Sequence, residues 1–229
     1  MRKLVAGLIL ASGLLLAEAL TAQTVTLDEG TFRLLSKGRE SGTETFSIRR
    51  NGTGESAVVI AVGRVGGGGQ EMNAQLQASG SALRPTAYEA NIEGADPQQI
   101  AGRVIGSRFS ARISSGAGEM MREYVASAGA VVVDEGFAHQ YWFLAQRVGD
   151  QGGRVPVIIP RLSRQVTATV TVGGSEPVTV GRSRVSARKL TVTIPGQPER
   201  LVWVDDQGRV LRVEIPDRGY VAQRAAVPR

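Results

Sequence analysis

Cysteine is absent from the 229 residues, and histidine occurs once, at His139. The first absence excludes disulfides, thiol catalysis and a lipid-modified cysteine behind an export signal. The second leaves any transition-metal site to be built from carboxylates, and no calcium-loop pattern is present. No apolar run is long enough to cross a membrane as a helix. The longest, Leu4 to Leu16, is about 13 residues and is interrupted by Gly7, Ser12 and Gly13. A spanning helix needs roughly 20. Sequence signatures of catalysis are missing too. There is no G-x-S-x-G elbow, and the glycines at 66–69 are not followed by the Lys-Ser/Thr of a phosphate-binding loop. Ser186 and Lys189 match S-x-x-K, but "RSRVSARKLTVTI" reads as a strand, which points the two to opposite faces.

What is present begins with an address. Arg2 and Lys3 precede the apolar stretch, and the small-residue exit "AEALTAQ" follows it. This is the pattern of a cleaved secretory signal, with cleavage expected after Ala22 or Ala19. The expected organisation is therefore a signal peptide over residues 1–22 and a single domain over 23–229, periplasmic or secreted. Net charge is +6 for the whole chain, and Arg2, Lys3 and Glu18 account for +1 of it. From Arg147 to Arg200, nine Lys/Arg face Asp150, Glu176 and Glu199. Such an excess suits a solvated surface or an anionic membrane surface, whereas export disfavours nucleic acid.

Period-two alternation dominates the rest. In "QVTATVTV", Val166, Ala168, Val170 and Val172 share one face; in "EMNAQLQA", Met72, Ala74, Leu76 and Ala78 do; in "FSARI", Phe109, Ala111 and Ile113 do. Phe46 and Ile48 follow the same rule in "TETFSIRR". These are strands with one buried and one wet face. Turn signals recur at Asn51-Gly52, at Gly66 to Gly69 and in "VDDQGRV", where Gly208 suits a left-handed position. Asn51-Gly52-Thr53 also matches a glycosylation acceptor but reads more simply as a turn. The count comes to about ten or eleven strands, with no internal repeat and no interdomain linker. The expected fold is mainly β, a curled antiparallel half-barrel with one packed α-helix.

The helix is expected in "DEGFAHQYWFLAQRVG", capped by Asp134 and ended by Gly149. On a helical count, Phe137, Tyr141, Ala145 and Val148 form the core face, flanked by Ala138, Trp142 and Leu144. His139, Phe143 and Gln146 project from the other side. His139, lacking a local partner, is then a dispensable surface residue, and Phe143 is free to line a cavity mouth. Farther on, Arg182, Arg184 and Arg188 have the same parity as Leu190, Val192 and Ile194. A bulge near Arg188-Lys189 would put the arginines on a rim beside the apolar interior.

The segment "PERLVWVDDQGRVLRVEIP", with Trp203, Val204, Asp205, Gly208 and Val210 in place, resembles the tryptophan hairpin of periplasmic lipoprotein carriers (LolA/LolB-like half-barrels) and of exported proteins related to them. The order of signal, early strands, helix and late hairpin is similar as well. The resemblance implies a curled sheet around an apolar cavity that takes acyl chains, although the carriers have several lid helices and this chain shows one. The expectation is a non-enzymatic envelope protein without cofactor, metal or catalytic residues. It would bind a hydrophobic or anionic amphiphile through Trp142, Phe143, Trp203, Arg182, Arg184 and Arg188. Two rivals stand beside it, a structural or interaction protein with a filled core and an envelope hydrolase.

Overall fold

The computed structural model describes residues 24–127 and 129–229. The expected signal peptide lies outside the described residues. Two antiparallel meanders make up the chain. The first holds β1 (Thr24–Ser36), β2 (Arg39–Asn51), β3 (Val58–Gly67), β4 (Gln70–Ser79), β5 (Arg84–Glu93), β6 (Gln98–Ile105), β7 (Arg108–Ser115) and β8 (Gly118–Val125). A connecting segment carries β9 (Val131–Val132), a 3-10 turn at Ala138–Gln140 and α1 (Tyr141–Val148). The second meander holds β10 (Gly153–Ile159), β11 (Arg164–Val180), β12 (Ser183–Thr193), β13 (Arg200–Val204), β14 (Val210–Ile215) and β15 (Tyr220–Arg224). β15 returns to pair with β1, which joins both meanders into one sheet of fifteen strands with β8 and β9 at its edges.

The sheet is mainly antiparallel and unclosed, and its fifteen strands correct the expected ten or eleven. Curling follows from one contact. The Gln165 side chain on β11 accepts from the Val125 N–H of edge strand β8 and donates to its carbonyl, both at 2.8 Å. Those strands lie near opposite ends of the sheet order, so the ends must approach each other. The amide also pairs two groups that an edge strand otherwise leaves free.

Local chemistry explains the turns. β3 and β4 meet through Gly67↔Gln70, leaving Gly68 and Gly69 as a tight turn with φ of 62° and 77°. Both central positions of such a turn need the left-handed region that glycine occupies freely. In the β13–β14 hairpin, Gly208 has φ 74°, and Asp205 accepts from the Gln207 and Arg209 N–H groups.

The concave face carries the main core. Phe46, Ile48, Met72, Ala74, Leu76, Ala78, Phe109, Ala111 and Ile113 are all buried on it, as their alternation requires. α1 lies within this trough, and its length and cap differ from expectation. The α-helical part begins at Tyr141, and Asp134 sits upstream of it in a buried network. Gly149 does end it, at φ 52°. Because sheet surrounds the helix on more than one side, Phe143 (2% exposed) and His139 (1%) are core residues. This overturns the expectation that both face away from it. A helix apolar nearly all round is one enclosed by protein.

Candidate functional site

The expected ligand-binding residues do not converge. Trp142 and Phe143 are buried in the concave core, with their rings edge to face at 5.0 Å. Trp203 is buried as well, against Leu211 and the half-buried Leu201, but on the other face of the sheet from the main core. Its cross-strand partner is Lys189, whereas its neighbours Val202 and Val204 pair into the main core. A register shift between Trp203 and Val204 accommodates Leu211 in that outer cluster with Val178, Val180 and Ala187. The Trp203 indole donates to Glu176 Oε1 at 2.5 Å, and Lys189 and Arg212 lie over its ring.

The arginine rim is likewise divided. Arg182 and Arg184 are exposed, while Arg188 pairs with Asp150 just past α1. The bulge expected on β12 is on its partner instead. Val172↔Leu190 and Ser175↔Arg188 leave Gly173-Gly174 opposite Lys189. β12 itself stays regular, so Arg188 keeps the same face as Leu190 and Val192. Much of the basic excess is spent internally: Arg161 donates to the Glu135 carbonyl, Arg164 to that of Pro195, and Arg200 pairs with Glu135 at 2.6 Å.

Three buried polar clusters were not legible from sequence. Glu44 on β2 is fully buried; its carboxylate accepts from the N–H groups of Ala138 (2.8 Å) and His139 (3.1 Å) and meets His139 Nδ1 at 2.5 Å. It thus caps the turn before α1 from across the core. The His139 ring stacks on Phe46, meets Phe137 edge on, and fills the space left by Gly63. Its Nε2 is buried without a hydrogen-bond partner. With no room beside the ring for a substrate, the pair has the residues of an acid–base dyad but not its access.

The second cluster fastens the connecting segment. Asp134 accepts from Tyr88 Oη (2.8 Å) and from the N–H groups of Arg161 and Glu135. Burial raises its carboxyl from 3.8 to about 6 against those hydrogen bonds. Burial likewise lifts Tyr88 well above its ordinary value, and the adjacent Asp134 adds to this. Glu135 pairs with Arg200 on β13 and with Arg218 at 2.5 Å. The space bordered by Asp134, Glu135, Tyr141 and Tyr220 is about 20 Å³, too small for a ligand.

In the third, Arg224 on β15 holds Asp28 on β1 with two hydrogen bonds of 2.6 and 3.0 Å, both side chains 2% exposed, and lies over Phe46. Burial raises the Asp28 carboxyl, with Arg224 opposing the shift. A cavity of about 610 Å³ borders this pair, walled by Leu27, Phe46 and the terminal segment from Ala225 to Arg229.

The larger concavity is outside. Twisting hollows the outer face of β2 to β7 into an open groove of about 1050 Å³. Register sets Arg64, Asn73, Asn91, Gln99 and Ser114 side by side on five successive strands. A parallel row runs Val62, Gln75, Glu89, Ala101 and Arg112 along it. Sequence reasoning passed over these residues because each is one polar outward position of an ordinary strand. Among the described residues, no group of three or more metal-ligating side chains occurs, and no helix is long and apolar enough to cross a membrane.

No protein-family model matches this chain, and no curated protein matches its sequence. Its fold is similar to a solved structure described as a β-barrel-like protein of domain of unknown function DUF1849 from Brucella abortus. The two share 11% identity at a TM-score of 0.53, over 90% of this chain and 98% of that one. At that identity the likeness concerns architecture, and the chain has a β-barrel-like fold, mainly β with a single α-helix among its described residues.

Proposed function

We propose that the protein is a non-enzymatic interaction scaffold of the cell envelope, exported by its N-terminal signal. One observation carries this reading: the concave interior is already occupied by its own chain. Phe137, His139, Tyr141, Trp142, Phe143 and Leu144 are each at most 6% exposed. An acyl chain held as the resemblance to lipoprotein carriers implies would need the volume these side chains take. The buried Glu44–His139 and Asp134 clusters serve packing and capping, so neither offers the hydrolase rival an accessible acid–base pair. Binding then falls to the outer surface.

A second reading keeps the amphiphile but moves it. The 610 Å³ cavity has an apolar wall of Leu27, Phe46 and Val227 beside the paired Asp28 and Arg224, with Arg229 also in its lining, which suits a lipid tail and an anionic head. One experiment separates the two. The mature protein is titrated with fluorescent fatty-acyl and phospholipid probes, and natively purified protein is extracted for lipid. The scaffold reading expects no saturable binding at micromolar concentration and no stoichiometric lipid. Saturable binding lost on Val227→Arg would overturn it in favour of the end cavity.

A further inference from the structure

The outer groove of β2 to β7 has a lining unlike either apolar core. Its two cross-strand rows contribute amides, a hydroxyl, guanidinium groups and a carboxylate, with no aromatic ring and no lysine. The four charged residues of the lining, Arg64, Arg112, Glu71 and Glu89, cancel to zero. Adjacent strands lie about 4.8 Å apart, so a row of five side chains runs roughly 20 Å across the sheet. Arg64, Asn73 and Gln99 are exposed.

From this we infer that the groove is a binding site for a neutral, hydroxyl-rich chain, an oligosaccharide or polysaccharide lying across the strands. Each sugar presents hydroxyls that both donate and accept, which matches amides spaced regularly along a line. A polyanion finds no net positive charge here. A peptide added as an extra strand needs free backbone N–H and C=O groups, yet β3 to β6 are paired on both sides. Nor does the lining offer the deep apolar pockets that anchor peptide side chains. The inference rests on the scaffold reading, since it places the working surface outside the filled interior.

The test uses the mature protein and defined probes: maltohexaose, cellohexaose and chitohexaose as neutral chains, a hyaluronan hexasaccharide as an anionic one, and an extended hexapeptide pool. Calorimetric titration should show saturable binding of at least one neutral chain. The double variant Asn73→Ala/Gln99→Ala removes exposed side chains, so its melting temperature should match the wild type. It should bind about tenfold more weakly, the loss expected from two hydrogen bonds. Binding of no neutral chain, preference for the anionic chain or the peptides, or binding untouched by the double variant would each overturn the assignment. A negative result here together with silent lipid probes sinks the groove alone and leaves the scaffold standing. Saturable lipid binding sinks the scaffold reading itself.

Discussion

His139 and Glu44 lie 95 positions apart in the chain, and their side chains meet at 2.5 Å with both fully buried. The carboxylate also holds two backbone N–H groups of the turn that starts the helical segment, so one residue on β2 sets where that segment begins. Removing the imidazole leaves a buried carboxylate short of a partner and a void beside Phe46. His139→Ala is expected to cost about 3–5 kcal/mol in chemical denaturation. A change near zero would show that the ring's contacts with Phe46 and Phe137 do not contribute to stability.

Gly63 tests the same site from the other strand. A Cβ there would stand 2.2 Å from His139 Cε1. Gly63→Ala should therefore destabilise by about 1–3 kcal/mol. In the His139→Ala background the added methyl enters vacated space, so the two effects should be strongly non-additive. Additive losses in the double-mutant cycle would place the strain elsewhere.

Phe143 is predicted to matter for folding. Its burial beside Trp142 makes Phe143→Ala cost about 3–5 kcal/mol, read from urea midpoints. Trp203 belongs to the smaller outer cluster, where Trp203→Ala should lose about 3 kcal/mol. In a Trp142→Phe background its emission should be blue-shifted and poorly quenched by iodide, while red-shifted, fully quenched emission would contradict its burial.

Asp134 makes stability depend on pH in an unusual direction. Burial lifts its carboxyl from 3.8 to about 6 in the folded protein, so folding favours the protonated form. Its contribution is complete below pH 3.8 and is lost as pH rises through about 6. The loss is on the order of 2–3 kcal/mol. Asp134→Asn keeps acceptors for the Arg161 and Glu135 N–H groups without the ionisation. Between pH 4 and 7, the wild type should lose stability relative to this variant, and parallel pH profiles would refute the assignment.

The Asp28–Arg224 pair is a buried charge couple, and breaking one side should be worse than replacing both. Arg224→Ala is expected to cost about 3–5 kcal/mol, whereas Asp28→Leu/Arg224→Met should recover much of that loss. Equal losses would mean that the guanidinium's bonds to the carbonyls of Val210 and Glu29 dominate.

Strands and turns were legible because their causes are local. Alternation at Met72 to Ala78 or Phe109 to Ile113 identifies the buried face whatever the strand packs against, since successive side chains point to opposite sides. Gly68, Gly69 and Gly208 could be assigned because positive φ is a property of one residue and its turn. The Trp203 cluster was half legible: its hairpin partners Leu201 and Leu211 follow from the turn, but the face does not, because nothing within β13 distinguishes the two sides of the sheet. The helical segment failed in an informative way. A count of 100° per residue describes a helix on one flat sheet, and it turned His139 and Phe143 away from the core. Only the curling of fifteen strands around the segment covers that side too. The same holds for Glu44–His139, Asp28–Arg224 and the row from Arg64 to Ser114. Each depends on pairing register or sheet curvature that brings together residues from separate strands, which no short window of sequence contains. Local conformational preference was therefore written in the residues, while burial and the company of charges were decided by the tertiary structure, because curvature of the sheet is a collective property of all its strands.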